Sequence, residues 1–435
     1  IHVAWADLGE EMSRVQGAVI VRRPDLVKIP GILAPANTLD FVKTFQSYFV
    51  ILKRSLLPSS TTMMGAHRPA KLEEDWRFFE AIADGYSEAA RYLSPYYAHI
   101  EVPKRASAGY ENTPTLVSMA DVFINELGYV WNEKARSDYI VPKTCDGHVF
   151  GPLARSTIPT SAERYEKVFV IAQCYGDEYF HFLAEALPRI TLALDILREN
   201  PKIKVAVYAP RPGYESRKTY ICELLEMLGI DRERVIFIQE EIHAALAILP
   251  SSAPCGRPDT QMIGMLRSVL LQAMYPSTGG VPPPVTRPVI VLVVRSTARR
   301  WLENNDQVRE ALKQDFPSYD IVEFLGTGPS ILQLQLFATA SIIVGPHGAG
   351  LANMVVSPLH TPVLEIGPPE CPTCFIHLAV KLQHIYARHN GSTEWEAPCR
   401  KAFEANVDEV LLLVRDLLEA KRRADAVDPP SIIDV

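Results

Sequence analysis

Apolar positions follow two rhythms along this chain, and the rhythm changes near Lys167. Before it, Leu39 to Leu57 carries apolar residues at helical spacing, and Val117 to Trp131 alternates through Val122 and Ile124. Leu127-Gly128 then reads as a turn, so this stretch predicts a β-hairpin. From Val168 the pattern becomes short continuous apolar runs separated by amphipathic stretches. Val168 to Ala172, Lys204 to Tyr208, Val235 to Ile238 and Ala245 to Leu249 read as strands, and Tyr179 to Glu199 and Arg217 to Leu228 as helices. Gly229 sits where a C-cap glycine is expected.

A Gly-Pro tract, Gly279 to Pro284, interrupts the alternation and predicts a linker. Beyond it the alternation restarts. Strands are expected at Val289 to Val294, Tyr319 to Phe324, Ser341 to Val344, Pro362 to Ile366 and His384 to Arg388. Helices are expected at Asn305 to Phe316, Ser330 to Ala338, Gly350 to Val356 and Asn406 to Arg423. Strand and helix at this spacing imply parallel sheets. The expected fold class is therefore α/β, with two Rossmann-like domains facing across a cleft and a C-terminal helix. Its ligands should lie at strand carboxyl ends. The expected division is an N-terminal extension over 1–110 that is part of the acceptor lobe, a first Rossmann-like domain over 111–278, and a linker over 279–285. A second Rossmann-like domain covers 286–400, and a helix and tail cover 401–435.

Composition changes this picture little. The chain has 435 residues, too many for one core, with 48% hydrophobic and 22% charged residues. A net charge of −7 gives no reason to expect nucleic acid, and means that an anionic ligand needs a local basic cluster. No apolar run approaches the ~20 residues that span a bilayer. The start at Ile1 leads us to expect a removed signal or anchor. Seven cysteines are scattered, and only Cys371 and Cys374 are closely spaced. Without a second such pair a zinc site is not expected, whereas one or two disulfides fit a secretory lumen. Asn390-Gly391-Ser392 is a formal glycosylation sequon.

Chemistry concentrates at three strand ends. Ile342 to Asn353 reads as a buried strand running through Gly345-Pro346-His347-Gly348-Ala349-Gly350 into a helix start. Exposed amides and a helix dipole gather at such a turn and suit an anion, while glycines permit close approach. Arg295, Arg299 and Arg300 follow another strand, and guanidinium groups match phosphate oxygens. Glu365 ends a third, where it could accept from a ribose. In the first half, His181 and Glu185 stand four apart near the start of a helix, suited to take a proton from a hydroxyl. A hydrogen-bonded pair that merely orients the helix is the plainer alternative. Pro188 should bend or restart that helix. No Asp-x-Asp triplet occurs, so nothing in the sequence marks a divalent ion on a diphosphate.

The blocks Phe180-His181-Phe182…Glu185…Leu187-Pro188-Arg189, Arg295 with Arg300-Trp301-Leu302-Glu303-Asn304, His347 to Asn353, and Val363 to Ile366, in that order, resemble glycosyltransferase family 61. That family includes plant xylan xylosyl- and arabinosyltransferases and lumenal N-acetylglucosaminyltransferases acting on EGF domains and O-mannosyl glycans. The resemblance covers roughly Val168 to Ile366. It implies a GT-B architecture and inverting transfer from a UDP-sugar donor, without a metal or other cofactor, to a glycan or glycoprotein acceptor. It puts the donor against Arg295, Arg299, Arg300, Asn304, His347, Gly348, Ala349, Gly350 and Glu365. It puts the base among Glu185, His181 and Asp177, because the family commonly has Asp where this chain has Glu185. It also implies a Golgi or ER lumen location, with a type II anchor in the full-length protein. A non-catalytic glycan- or nucleotide-binding protein on the same fold is the alternative. A sugar-nucleotide epimerase or oxidoreductase would want a G-x-G-x-x-G turn, which is missing.

Overall fold

The computed structural model describes residues 13–15, 18–22, 115–131, 145, 162–295, 300–368, 371–389, 399 and 402–427. The expected helix at Leu39 to Leu57, Arg299, the Asn390 sequon and nearly all of the N-terminal extension lie outside these residues. The chain divides into two compact units.

The first unit contains Thr113–Val281. Its sheet has the order β1(Ser13–Val15)-β2(Ala18–Arg22)-β3(Thr115–Ile124)-β8(Ile242–Pro250)-β5(Arg164–Val170)-β6(Lys204–Tyr208)-β7(Val235–Ile238), with β4(Val130–Trp131) paired to β3. The expected hairpin is therefore present as β3 and β4. Strands β8, β5, β6 and β7 run parallel, whereas β3 runs antiparallel to β8 and β2 antiparallel to β3. The sheet is thus mixed, half of it Rossmann-like and half a meander. Its core is made by Val168, Val170, Ala172, Ala206, Ala244 and Ala247 packed against Val122, Ile124 and Val130.

The single long helix expected from Tyr179 is broken into four pieces. One α-turn, α1 (Tyr179–His181), passes into a π-turn, Phe182–Ala186, then a 3-10 segment, Leu187–Ala193, then α2 (Leu194–Glu199). Pro188 is the physical reason, since it has no N–H to bond back four residues and its ring crowds the preceding turn. A π-turn absorbs that mismatch, and such turns are frequent at functional sites. Two helices follow: α3 (Arg217–Met227) and α4 (Thr260–Met274). The latter has no counterpart in the expectations above, although Asp259 caps it by accepting from the Met262 amide at 2.9 Å.

Arg189 sits fully inside this unit. Its guanidinium donates to the carbonyls of Ile171, Val170 and Pro250 at 3.1–3.2 Å. It therefore ties the carboxyl ends of β5 and β8 together, and burial pushes its pKa down to about 9.

The second unit contains Pro282–Gly328 and Leu332–Val435. Its sheet is wholly parallel, in the order β10(Asp320–Phe324)-β9(Val289–Val293)-β11(Ala340–Pro346)-β12(Pro362–Ile366)-β13(Ile385–His389). Helices α5 (Asn305–Asp315), α6 (Ser330–Ala338), α7 (Cys374–Lys381) and α8 (Val407–Val427) accompany it. The expectations above do not include α7. The last helix packs on β12, β13 and α5, so residues 407–427 belong with this unit rather than standing apart as a tail. The helix expected at Gly350 is a 3-10 segment, Ala349–Val356. No helix among the described residues is long and apolar enough to cross a membrane.

Candidate functional site

In the first unit the end of β5 continues through Ile171 and Ala172 into the turn Gln173 to Asp177. Gly176 is required there for room, because a Cβ would stand 2.9 Å from the Gln173 carbonyl oxygen and 3.1 Å from Tyr208 Cβ. The helix then delivers His181 and Glu185 to the same place. His181 Nδ1 lies 3.0 Å from Glu185 Oε2, with the two side chains 19% and 0% exposed. Glu185 is also held by Gln173 Nε2, donating to Oε2 at 3.1 Å, and by the Gly256 amide, donating to Oε1 at 2.6 Å. A disulfide joins Cys145 to Cys255 beside the pair, and Cys145 Sγ is 3.7 Å from His181 Nδ1. Burial alone would lower the His181 pKa, but the bond and charge of Glu185 outweigh it and hold it above 6.5.

Glu185 is therefore an enclosed carboxylate with both oxygens engaged, and His181 is the member of the pair that meets solvent. Asp177 is elsewhere occupied. Its Oδ2 accepts from Arg217 at 2.6 Å, its backbone carbonyl accepts from the Tyr220 hydroxyl, and its side chain is fully buried.

In the second unit β11 carries the chain into the glycine turn. His347 Nδ1 lies 2.6 Å from Glu365 Oε1, and Tyr386 donates to Glu365 Oε2 at 2.6 Å. Arg388, directly across from Glu365 on β13, approaches to 4.0 Å. Burial would raise the Glu365 pKa, but His347, Arg388 and Tyr386 lower it below the usual value. Burial lowers that of His347 despite Glu365. The ligand-free pair is thus a carboxylate and a neutral imidazole that donates Nδ1–H, which leaves an acceptor at Nε2. Glu365, for which a ribose contact was expected, is fully buried here and orients His347.

The glycines of the turn make room. A Cβ on Gly348 would run into the Arg295 guanidinium, one on Gly350 would stand 3.0 Å from Val293 Cγ1, and one on Gly345 would stand 2.5 Å from Val293 Cβ. Arg295 therefore lies against the turn. Burial, with Arg300 as a second positive charge nearby, pushes its pKa down to about 10. Arg300 also bears electrostatically on His347. Ala349 and Gly350 begin the 3-10 helix, whose first amides have no acceptor within it.

Asn304 does not join this group. It exchanges two hydrogen bonds with the backbone of Ala405, at 2.8 and 3.0 Å, and so pins the segment that leads into α8. A second disulfide, Cys371–Cys399, borders the site, with its sulfurs and a His347 ring nitrogen all within 4.8 Å of one another. Its cysteines, like Cys145 and Cys255, are oxidised, so neither group offers a thiolate.

The two histidines titrate in opposite senses, which predicts opposite pH slopes. His181 has a raised pKa, so its contribution to stability is complete below 6.5 and fades as pH rises through the folded-state value. His347 has a lowered pKa, so its contribution is complete above 6.5 and is lost as pH falls. Urea denaturation should show that H181Q costs more at pH 5.5 than at pH 8.5, and H347Q the reverse. Parallel slopes would refute the assigned protonation states.

Gln173, Gly256, Tyr386 and Arg388 escaped sequence reasoning. The first two act through a side-chain amide and a backbone N–H that no motif marks. The last two carried a weak signal, since a polar Arg and a Tyr inside a fully buried strand need partners.

Comparison with known proteins gives three results. The family model Glycosyltransferase 61 matches residues 179–364, a span that includes His181, Glu185, Arg295, Arg300, His347 and the glycine turn. No curated protein matches. Among solved structures, the dodecameric iron-containing heptosyltransferase TibC, in complex with ADP-D-β-D-heptose, is similar at 12% identity. The match covers 75% of this chain and 100% of that one, with a TM-score of 0.26, too low to support an argument. The likeness read from the sequence blocks is thus met by a family model: residues 179–364 of this chain match glycosyltransferase family 61.

Proposed function

We propose that this protein is a GT-B, inverting, metal-independent glycosyltransferase that moves a sugar from a UDP-sugar to a hydroxyl of a glycan or glycoprotein in the Golgi or ER lumen. The donor sugar is a pentose or N-acetylglucosamine, with a pentose favoured. One observation carries the reading. Two arginines lie at an amide-lined glycine turn, beside a histidine that burial keeps neutral and an enclosed carboxylate orients.

In this reading Arg295, Arg300, His347 and the turn amides take the diphosphate. His181 accepts the proton of the acceptor hydroxyl through Nε2, while Glu185 fixes its tautomer and steadies the imidazolium that forms. The acceptor oxygen bonds to the anomeric carbon as the bond from that carbon to the phosphate oxygen breaks. The departing UDP carries its charge to the two arginines.

The test is thermal unfolding with UDP in the presence of EDTA. A rise in Tm is expected for the wild type and none for G348A, where the new Cβ displaces the Arg295 guanidinium. No rise in the wild type would end the donor-site assignment. A rise that needs added divalent ion would end the metal-independent part of it.

A further inference from the structure

Beside His181, at the carboxyl ends of β5 and β6, stands an aromatic and cationic ledge that the mechanism above does not use. Tyr175, in the turn after β5, has its ring 5.6 Å from the His181 ring. The Arg211 guanidinium lies 6.0 Å from the Tyr175 ring centre and 5.9 Å from that of Tyr214. Arg217 covers one face of Tyr214 at 4.2 Å, yet Tyr214 remains 49% exposed. These side chains form one row that starts at the candidate base and runs outward.

Backbone conformation sets Tyr175 apart. Its φ is +56°, in the left-handed region that a bulky residue rarely occupies. Such a conformation persists when the surroundings impose it, and it clusters at ligand contacts. Here it presents the Tyr175 ring between His181 and Arg211.

Charge decides what the ledge suits. Arg211 is paired with Glu178 at 2.9 Å and Arg217 with Asp177 at 2.6 Å. Each cation is matched by a carboxylate, so the ledge has no net pull on a phosphate or a uronic acid. What it offers is flat ring faces for C–H groups, with guanidinium and carboxylate edges for hydroxyls. That combination fits a neutral sugar chain.

We propose that Tyr175, Arg211 and Tyr214 form the acceptor platform, on which successive rings of a neutral oligosaccharide stack so that a hydroxyl of one sugar reaches His181. This deepens the proposed function and rests on its placement of the acceptor beside His181.

Saturation-transfer NMR with xylohexaose, mannohexaose and hexagalacturonate, with and without UDP, tests it. At least one neutral hexasaccharide should bind the wild type at millimolar concentration, with saturation strongest on the ring C–H protons. Y214A should weaken that binding by about tenfold, and the Y175A/Y214A pair further. Tyr214 is exposed, so an unchanged melting temperature will certify the folding of Y214A. Equal binding by wild type and Y214A overturns the platform. So does the absence of neutral binding, or a preference for hexagalacturonate. Binding is read without turnover, and the UDP-induced shift in Tm is a separate measurement. Loss of the donor reading and loss of the platform therefore give different results.

Discussion

H181A is expected to lower the rate of sugar transfer by about 10²–10⁴-fold while leaving UDP-induced stabilisation in place. The reason is geometric. Glu185 is enclosed, and its oxygens are taken by Gly256, Gln173 and His181, so an acceptor hydroxyl meets the imidazole first. E185Q should fall by a similar factor, because an amide can offer its own N–H to Nδ1 and favour the wrong tautomer. E185D should recover part of the rate, as it keeps the charge and loses only reach. The measurement is initial rate against pH with a fixed donor and acceptor. An active H181A beside a dead E185Q would make Glu185 the direct base and reverse the order of the pair.

R295A should abolish the UDP-induced rise in Tm and weaken UDP binding by about 10²-fold, the worth of a charge-assisted bidentate contact of roughly 3 kcal/mol. Because His347 is held neutral in the ligand-free protein, an incoming diphosphate should raise its pKa and bring a proton with it. Binding should therefore tighten as pH falls from 8 to 6, by no more than about tenfold per pH unit. H347Q should lose that pH dependence while retaining some affinity through the two arginines. Titration calorimetry in buffers of different ionisation enthalpy reads both quantities. Wild-type-like UDP binding by R295A would remove the arginine pair from the donor site, whatever the family match.

Much of this was legible from residue patterns, and the parts that were not share a cause. Strands β6 and β12 fall where continuous apolar runs predict them, because a parallel strand buried on both faces can hold little else. The pairing of His181 with Glu185 followed from helical spacing alone, and survived even though the helix there is a π-turn. What sequence could not supply was partnership across the fold. Asn304 looked like part of a basic, polar motif, but its amide is spent on the backbone of Ala405, about a hundred residues away. Glu365 looked like a ligand group at a strand end. Its neighbour on β13 is an arginine, and a tyrosine and a histidine reach it from two other sides, which only the sheet register reveals. The antiparallel half of the first sheet was equally hidden, since its nearest-in-sequence β3–β8 pair, Ile124 and Ile242, is separated by 242 − 124 = 118 positions.

The two histidine–carboxylate pairs of the candidate site, His181–Glu185 and His347–Glu365, each have a cystine for a neighbour: Cys145–Cys255 at the one, Cys371–Cys399 at the other. These crosslinks close segments of 110 and 28 residues, a restriction worth about 3–5 kcal/mol each on loop-entropy grounds. A batch produced in a thiol-rich bacterial interior would carry neither brace. An inert sample of that kind would report on its manufacture, and assays of this chain should begin by counting its unoxidised sulfhydryls against the three expected from Cys174, Cys222 and Cys374.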